Sequence, residues 1–363
     1  MMLRQNRRTG GFTCVEMCVV VVLVGVLVAM QLAMVGHQRA QSSARSDLAK
    51  LRLIGQASAM YAESNTGRLF TFSWKPGVLP VTPNTELALA NTNMQSSVGS
   101  AGLQQLDLVS RDSVGGSVEP VVGNRAKNHF PYVLYSHLVL AHFMGEGLPS
   151  EIFISEGDAA RNYWRAHLGK YLEDPLGGPF DPPTSSTAYH NLWRWPFSSS
   201  FMVGPSHYAF DAAPPLTVSR GSTNSIWVTG ASGSVYPERM FKDVANPSTK
   251  VMMFDEYDRY SGPYGRYFGL DDAHSTMNFY DGHAQRLATV RSNFGFEPNR
   301  PDVGADQPDI PVRFYTYNPF PGWDPPDAES TLVPVYYDQT RDGLKGVDYP
   351  TQGQRRLVPV SAR

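Results

Sequence analysis

From Cys14 to Val35 the chain is one apolar run, CVEMCVVVVLVGVLVAMQLAMV, whose only strongly polar residues are Glu16 and Gln31. About 20 apolar residues in a helix span the hydrocarbon of a bilayer, so this run is long enough to cross one. Ahead of it stand Arg4, Arg7 and Arg8 and no acidic residue. Basic residues on the N-terminal side predict that this end stays cytoplasmic and that everything after the run lies outside. A carboxylate in hydrocarbon costs several kcal/mol unless something pairs with it. Glu16 therefore needs a reason.

The rest of the chain is of ordinary globular composition, with 42% hydrophobic and 18% charged residues among 363. Removing the three leading arginines from 31 Lys+Arg leaves 28 against 33 Asp+Glu, about −5 for the remainder. A mildly acidic body lacks the basic stripe of a nucleic-acid binder. The two cysteines, Cys14 and Cys18, both lie in the apolar run. The body thus has neither disulfides nor thiolate metal ligands. A lipoprotein reading of Cys14 fails, because the apolar run follows the cysteine. A cleaved secretory signal would have a shorter core ending in a small-residue cleavage site. A plain signal anchor with an incidental glutamate remains open.

A more specific reading comes from Gly11-Phe12-Thr13-Cys14-Val15-Glu16. With the basic leader before it, this stretch resembles the processing signal of type IV pilins and type II secretion pseudopilins. The resemblance implies cleavage between Gly11 and Phe12 by an inner-membrane prepilin peptidase, and methylation of the new Phe12 amine. It also implies that Glu16 pairs with the amine of a neighbouring subunit during assembly. An amine and a carboxylate that are both desolvated attract strongly, whereas each alone is costly. Cys14 departs from the large aliphatic residue usual at that position.

The helix is expected to continue to about Glu63, because no proline interrupts it. From Phe12 that would be about 80 Å at roughly 1.5 Å per residue. Leu48, Leu51, Ile54, Ser58 and Tyr61 form a stripe at helical spacing. Ser46-Asp47 could cap a restart, and Asn65-Thr66-Gly67 is a stop signal. The expected organisation is a leader over 1–11 and a helix over 12–66, membrane-spanning to about 35. An extracytoplasmic body over 67–293 and a Pro-rich extension over 294–363, extended or wrapping, would follow.

Two segments sharpen the resemblance. SDLAKLRLIGQASAMYAESNTGRLF is similar to the helix end of bacterial prepilin-like proteins with large bodies. NPSTKVMMFDEYDRY and LDDAHSTMNFYDGHAQRL resemble their C-terminal signature, a His placed ahead of Asp-Gly, here His274 and Asp281-Gly282. Six residues lie between His274 and Asp281, a short spacing for that signature. The resemblance covers about residues 4–70 and 245–290.

Read physically, Met277–Tyr280 and His283–Arg286 are strand candidates, with Asp281-Gly282 as a two-residue hairpin turn. On that reading His274 is simply a packed or surface residue. The alternative is a calcium site built from Asp255, Glu256, Asp258, Asp271, Asp272 and Asp281, since hard oxygens suit that ion. Their spacing fits no EF-hand, and no other metal or cofactor is implied.

In the middle, NTNMQSSVGSAGL and PLGGPFDPPTSSTAYH read as loops, YVLYSHLVLAHFMGE and GDAARNYWRAHLGKYL as short helices, and SIWVTGASGSVY and KVMMF as strands. The fold expected is α+β: a long N-terminal helix packed on an antiparallel sheet with large loop insertions, as in pilins. No catalytic residue emerges. His129, His137 and His142 lack ligand spacing, Ser206-His207 shows no third member, and no metalloprotease, nucleophile-elbow or Walker motif is present. Asp255 and Asp258 could serve acid–base chemistry only as any acidic turn could. Trp193 and Trp195 offer a possible stacking platform for sugar or protein.

The expected function is therefore a non-enzymatic, pseudopilin-like subunit in the inner membrane. Its body would be periplasmic or extracellular, and its partners prepilin peptidase, other pilin-like subunits and an assembly platform. It would serve a type II secretion-like pseudopilus or a type IV pilus-like fibre, and a minor tip subunit that recognises cargo with its large body is a third expectation that combines assembly with binding. The competing expectation is a signal-anchored binding or enzymatic domain that never polymerises.

Overall fold

The computed structural model describes residues 13–73, 100–102, 104–105, 108–109, 133–173, 197–208, 218–220, 227–229, 239–262, 264–295, 314–317 and 329–352. The side chains of 28–37, 171–172, 218–220 and 227–229 lie outside that description. So do Gly11 and Phe12, His129, Trp193 and Trp195. The helices are α1 (Cys14–Ser64), α2 (Leu138–Met144), α3 (Ala159–Ala166) and α4 (Leu168–Glu173). The strands are β1 (Phe201–Val203), β2 (Val218–Arg220), β3 (Trp227–Thr229), β4 (Val251–Asp255), β5 (Tyr257–Asp258), β6 (Arg266–Tyr267), β7 (His274–Phe279), β8 (Ala284–Ala288), β9 (Phe314–Tyr317) and β10 (Thr331–Pro334). Helices with antiparallel sheets make this an α+β protein.

The chain divides into two compact units, 1–43 and 44–363, and α1 contributes residues to both. In the first unit, α1 starts with a capping box. Thr13 Oγ1 accepts from the Glu16 N–H at 3.3 Å, and Glu16 Oε2 accepts from the Thr13 N–H at 2.8 Å. Two otherwise orphaned donors of the first turn are satisfied reciprocally. Beyond it Val15, Met17, Val19 to Val24, Val26 and Leu27 are all exposed. Among the described residues no helix is long and apolar enough to cross a membrane.

In the second unit a four-stranded antiparallel sheet has the order β1-β4-β7-β8. The last part of α1 covers one face, through Asn278 of β7, whose Nδ2 donates to the Leu51 carbonyl at 2.9 Å. Phe254 and Phe279 point the other way, onto Tyr337 and Tyr349. Residues 336–349, which fall in the expected C-terminal extension, thus cover the second face, and Val335, Tyr336, Tyr337 and Leu344 belong to the core. From α1 the core takes Leu51, Ile54, Ala57 and Tyr61. Each large apolar side chain among these contributes about 1.5–3 kcal/mol by burial. The helix ends where Gly67, at φ +83°, donates to the Ala62 carbonyl at 2.7 Å. Glycine takes that left-handed conformation without a Cβ clash.

Two local expectations need correction. Asp47 caps no helix restart: α1 runs through it, and its side chain bonds to Ser155 and Tyr260 across the body. Nor is Asp281-Gly282 a two-residue turn. β7 and β8 pair His274 with Ala288 and Asn278 with Ala284, and Phe279 donates to the His283 carbonyl at 3.0 Å. The loop is therefore Tyr280-Asp281-Gly282, with Gly282 at φ +87° closing it by donating to the Phe279 carbonyl. A three-residue hairpin of this kind needs a left-handed residue in third place, and glycine supplies it.

Candidate functional site: the seat of α1 on the body

Of the residues singled out by sequence, Asp281-Gly282 meets the last part of α1. Gly55 lies against the hairpin loop, where an added Cβ would stand 3.1 Å from Gly282 Cα and 3.3 Å from its carbonyl oxygen. Both are backbone atoms that cannot swing aside. Next to this contact Asn278 is wholly buried, with Nδ2 on the Leu51 carbonyl and Oδ1 accepting from the Met253 N–H at 3.0 Å. One amide thus ties α1, β7 and β4 together. The segment around Ile54-Gly55 and the loop around Asp281-Gly282, more than 200 residues apart in sequence, touch each other here.

One turn and more towards the N-terminus lies a buried polar network that sequence reasoning did not find. Asp47 accepts from Ser155 Oγ, from the Tyr260 hydroxyl and, at 2.8 Å, from the Glu156 N–H. Beside it Lys50 donates to the Ile154 carbonyl at 2.8 Å and pairs with Glu156 at 2.8 Å. Deeper in, Asp158 caps α3 by accepting from the Arg161 N–H, and meets the guanidinium groups of both Arg161 and Arg259. Arg259 also reaches Asp255 at 2.9 Å.

The environment sets the charge of each group. Burial raises the Asp47 carboxyl, against its hydrogen bonds to Ser155 and Tyr260. Burial would raise Asp158 as well, but Arg161 and Arg259 hold it down at about 2. Asp255 shares Arg259 and lacks the second guanidinium; burial pushes it up to about 7 despite that pairing. Tyr260 is raised by burial and by the Asp47 charge, so it stays a hydroxyl that donates. The network can therefore hold α1 at a fixed register.

The calcium candidates do not converge. Asp255 belongs to the network just described. Asp258 accepts from Arg286 Nη2 at 2.7 Å and from the backbone N–H groups of Tyr260 and His274. Burial would raise its carboxyl, but these partners and Ser261 hold it low. Asp272 pairs with Arg266, Asp281 with His283 at 2.5 Å, and Asp271 lies 3.5 Å from the Tyr336 hydroxyl. Glu256 receives the Phe268 N–H on its backbone carbonyl. Among the described residues no group of three or more His, Cys, Asp or Glu is arranged to hold a metal ion. His274 opens β7, about half exposed, with Nδ1 4.0 Å from Asp258.

His207, left without a partner by sequence, is wholly buried between the Phe70 carbonyl and the Tyr280 hydroxyl, each at 2.7 Å. Burial lowers it to about 3, so it stays neutral and joins the segment that follows α1 to the hairpin loop. His137 is buried against Phe153, and His142 closes α2 on another face. A polar residue in phase with an apolar stripe was the available signal for the network: Asp47 stands four before Leu51 and seven before Ile54. Its partners are distant in sequence and left no such trace. No family model, curated protein or solved structure matches the chain.

Proposed function

We propose that the chain is a pilin-like subunit, cut by prepilin peptidase between Gly11 and Phe12 and assembled through α1 into a pseudopilus or pilus-like fibre. In this reading α1 is one long helix whose first half lies in the inner membrane before assembly and against neighbouring helices afterwards. The body stays outside the cytoplasm, seated on the second half, and does no chemistry of its own. The observation that carries the reading is the apolar run itself. Between Val15 and Leu27 its side chains are exposed all round the helix, directly after the Gly-Phe-Thr-x-x-Glu stretch. A helix that is apolar on every side needs lipid or other helices around it. The seat supports the same reading, because a fixed helix register transmits assembly contacts to the body.

The test is the mature N-terminus, read by mass spectrometry on full-length protein made with and without an active prepilin peptidase. The expected product begins at N-methylated Phe12 only when the peptidase is present. A chain that keeps its leader, while a control prepilin is cut, would overturn the reading and leave a signal-anchored domain.

A further inference from the structure

On the face of the sheet opposite α1, Lys250 is buried completely, and so, within 1% exposure, is Asp348. Lysine is among the residues least often buried, and an ion pair removed from water costs several kcal/mol per charge before attraction offsets it. Here Nζ lies 2.9 Å from Asp348 Oδ2 and also donates to Thr340 Oγ1, while Thr340 Oγ1 in turn donates to Asp348 Oδ1 at 2.5 Å. The Val251 N–H donates to Oδ2 at 2.8 Å. Asp348 is fixed from both sides: its N–H donates to the Thr249 carbonyl at 3.0 Å and its carbonyl accepts from the Asn293 N–H at 2.7 Å. The rings of Tyr280, Tyr337 and Tyr349 stand near enough for the Asp348 charge to act on their hydroxyls.

We propose that Lys250 and Asp348 condense into an intramolecular amide, a covalent staple between the residue that precedes β4 and the C-terminal segment. An amine is held against a carboxyl group in a dry cage, a hydroxyl bridges the amine to one carboxyl oxygen, and a backbone N–H holds the other. Proximity of this kind replaces a collision by a unimolecular step. First, a proton passes from the Lys250 ammonium through the Thr340 hydroxyl to Oδ1, which removes both charges. The Nζ lone pair then forms a bond to Cγ, and the carbonyl pair moves onto Oδ2, where the Val251 N–H stabilises it as an oxyanion-hole donor would. Nζ gives up a second proton along the same relay, Cγ–Oδ1 breaks, and Oδ1 leaves as water. The carbonyl re-forms at Oδ2, and Nζ keeps one hydrogen as an ordinary amide. Three ammonium hydrogens become two in water and one on nitrogen, so no oxidant or other reagent is needed.

The bond would join positions 98 apart in a body that has no disulfide. A cross-link over so long a loop restricts the unfolded chain strongly. It requires nothing of the filament reading and would stand if the leader proved uncut.

The experiment is tryptic mapping of the full-length protein, purified folded and then denatured. In the condensed protein trypsin cannot cut after Lys250. The expected product is a branched peptide joining residues 243–259 to 346–355, lighter by one water than the sum of its two arms. Lys250→Met and Asp348→Ala remove the branch. Thr340→Val, which takes away the relay, lowers the fraction condensed at a fixed time after synthesis, the rate falling by about a hundredfold as for loss of a general acid–base group. Full recovery of the linear peptide 243–250 from folded wild-type protein would overturn the staple. Unchanged condensation in Thr340→Val would overturn the role given to the hydroxyl.

Discussion

Two stretches of α1 are helical for different reasons. Over residues 15–27 the side chains are almost all aliphatic and exposed on every side. Over residues 47–62 the helix has two sides: Asp47, Leu51, Ile54, Gly55, Ser58 and Tyr61 are buried, while Arg52, Leu53, Gln56 and Met60 are exposed. Among the described residues the first stretch buries no side chain, so it depends on what surrounds it. The second is fixed by the body through one amide, one glycine contact and a charged network. Substitutions in the second should change the stability of the body, and substitutions in the first should not.

The largest effect is expected at Arg259. It is buried between Asp158 and Asp255; burial alone would lower its charge affinity, and the two carboxylates hold it charged. Arg259→Met removes that cation and leaves Asp255 with no guanidinium. Breaking a buried pair from one side costs about 3–5 kcal/mol. The urea midpoint of the body should fall accordingly. A midpoint within experimental error of wild type would mean that the network does not hold the seat.

Next comes Gly55. Because Gly282 Cα stands 3.1 Å from the position of a Cβ there, a larger side chain must push α1 off the hairpin. Gly55→Leu is expected to cost about 1–3 kcal/mol by overpacking, with Gly55→Ala costing less. An Ala and a Leu variant of equal stability would show that the helix and the loop separate freely.

The network also has a pH signature. Asp255 is raised from 3.8 to about 7 in the folded chain, so between those values the folded state binds more protons than the unfolded one. Its contribution is fully present below 3.8 and is lost as pH rises through 7. Asp255→Asn removes this dependence, which amounts to at most about 1.4 kcal/mol per pH unit. Unfolding of wild type and variant, compared at about pH 5 and about pH 8, should show the wild type losing stability relative to the variant at the higher pH. Parallel behaviour of the two proteins would mean that Asp255 stays ionised throughout.

Much of this was legible in the sequence, and the illegible parts share a cause. The helical stripe, the strands at Val251 and Met277, and the breaker after Ser64 are local patterns of period and punctuation, and they lie where those patterns put them. The partners of Asp47 were not legible, because Ser155 and Tyr260 are more than a hundred residues away and the pairing is set by the tertiary fold. The short acidic runs leave a calcium site open as an alternative in the sequence, and the structure sets a cation or an N–H group beside Asp255 and Asp258. The hairpin loop is one residue longer than the Asp-Gly pair suggests, since Asp-Gly suits both a two-residue turn and the end of a three-residue one. Thr13-x-x-Glu16 is a capping signature too, and the same carboxylate also stands at the start of the apolar run.

That last point makes Glu16 the smallest expected effect on folding and the sharpest test of the comparison. Its carboxylate has two separable properties. It accepts from the Thr13 N–H and hydroxyl, each at 2.8 Å, which is the work of an N3 cap residue. In the proposed subunit it also offers a negative charge to the amine of a neighbouring chain. Glutamine keeps the first property, because the capping box accepts Glu or Gln at N3, and lacks the second. Glu16→Gln should leave the unfolding of the body unchanged within about 0.5 kcal/mol, as for a site outside its core. In a reconstituted assembly system it should still be cut at Gly11 yet form far less fibre. Alanine removes both properties and should add a loss of helix at the first turn, seen as faster amide exchange over residues 14–17. If glutamine assembles as well as glutamate while alanine does not, the residue is a cap, and the exposed stretch of α1 finds its neighbours through packing alone.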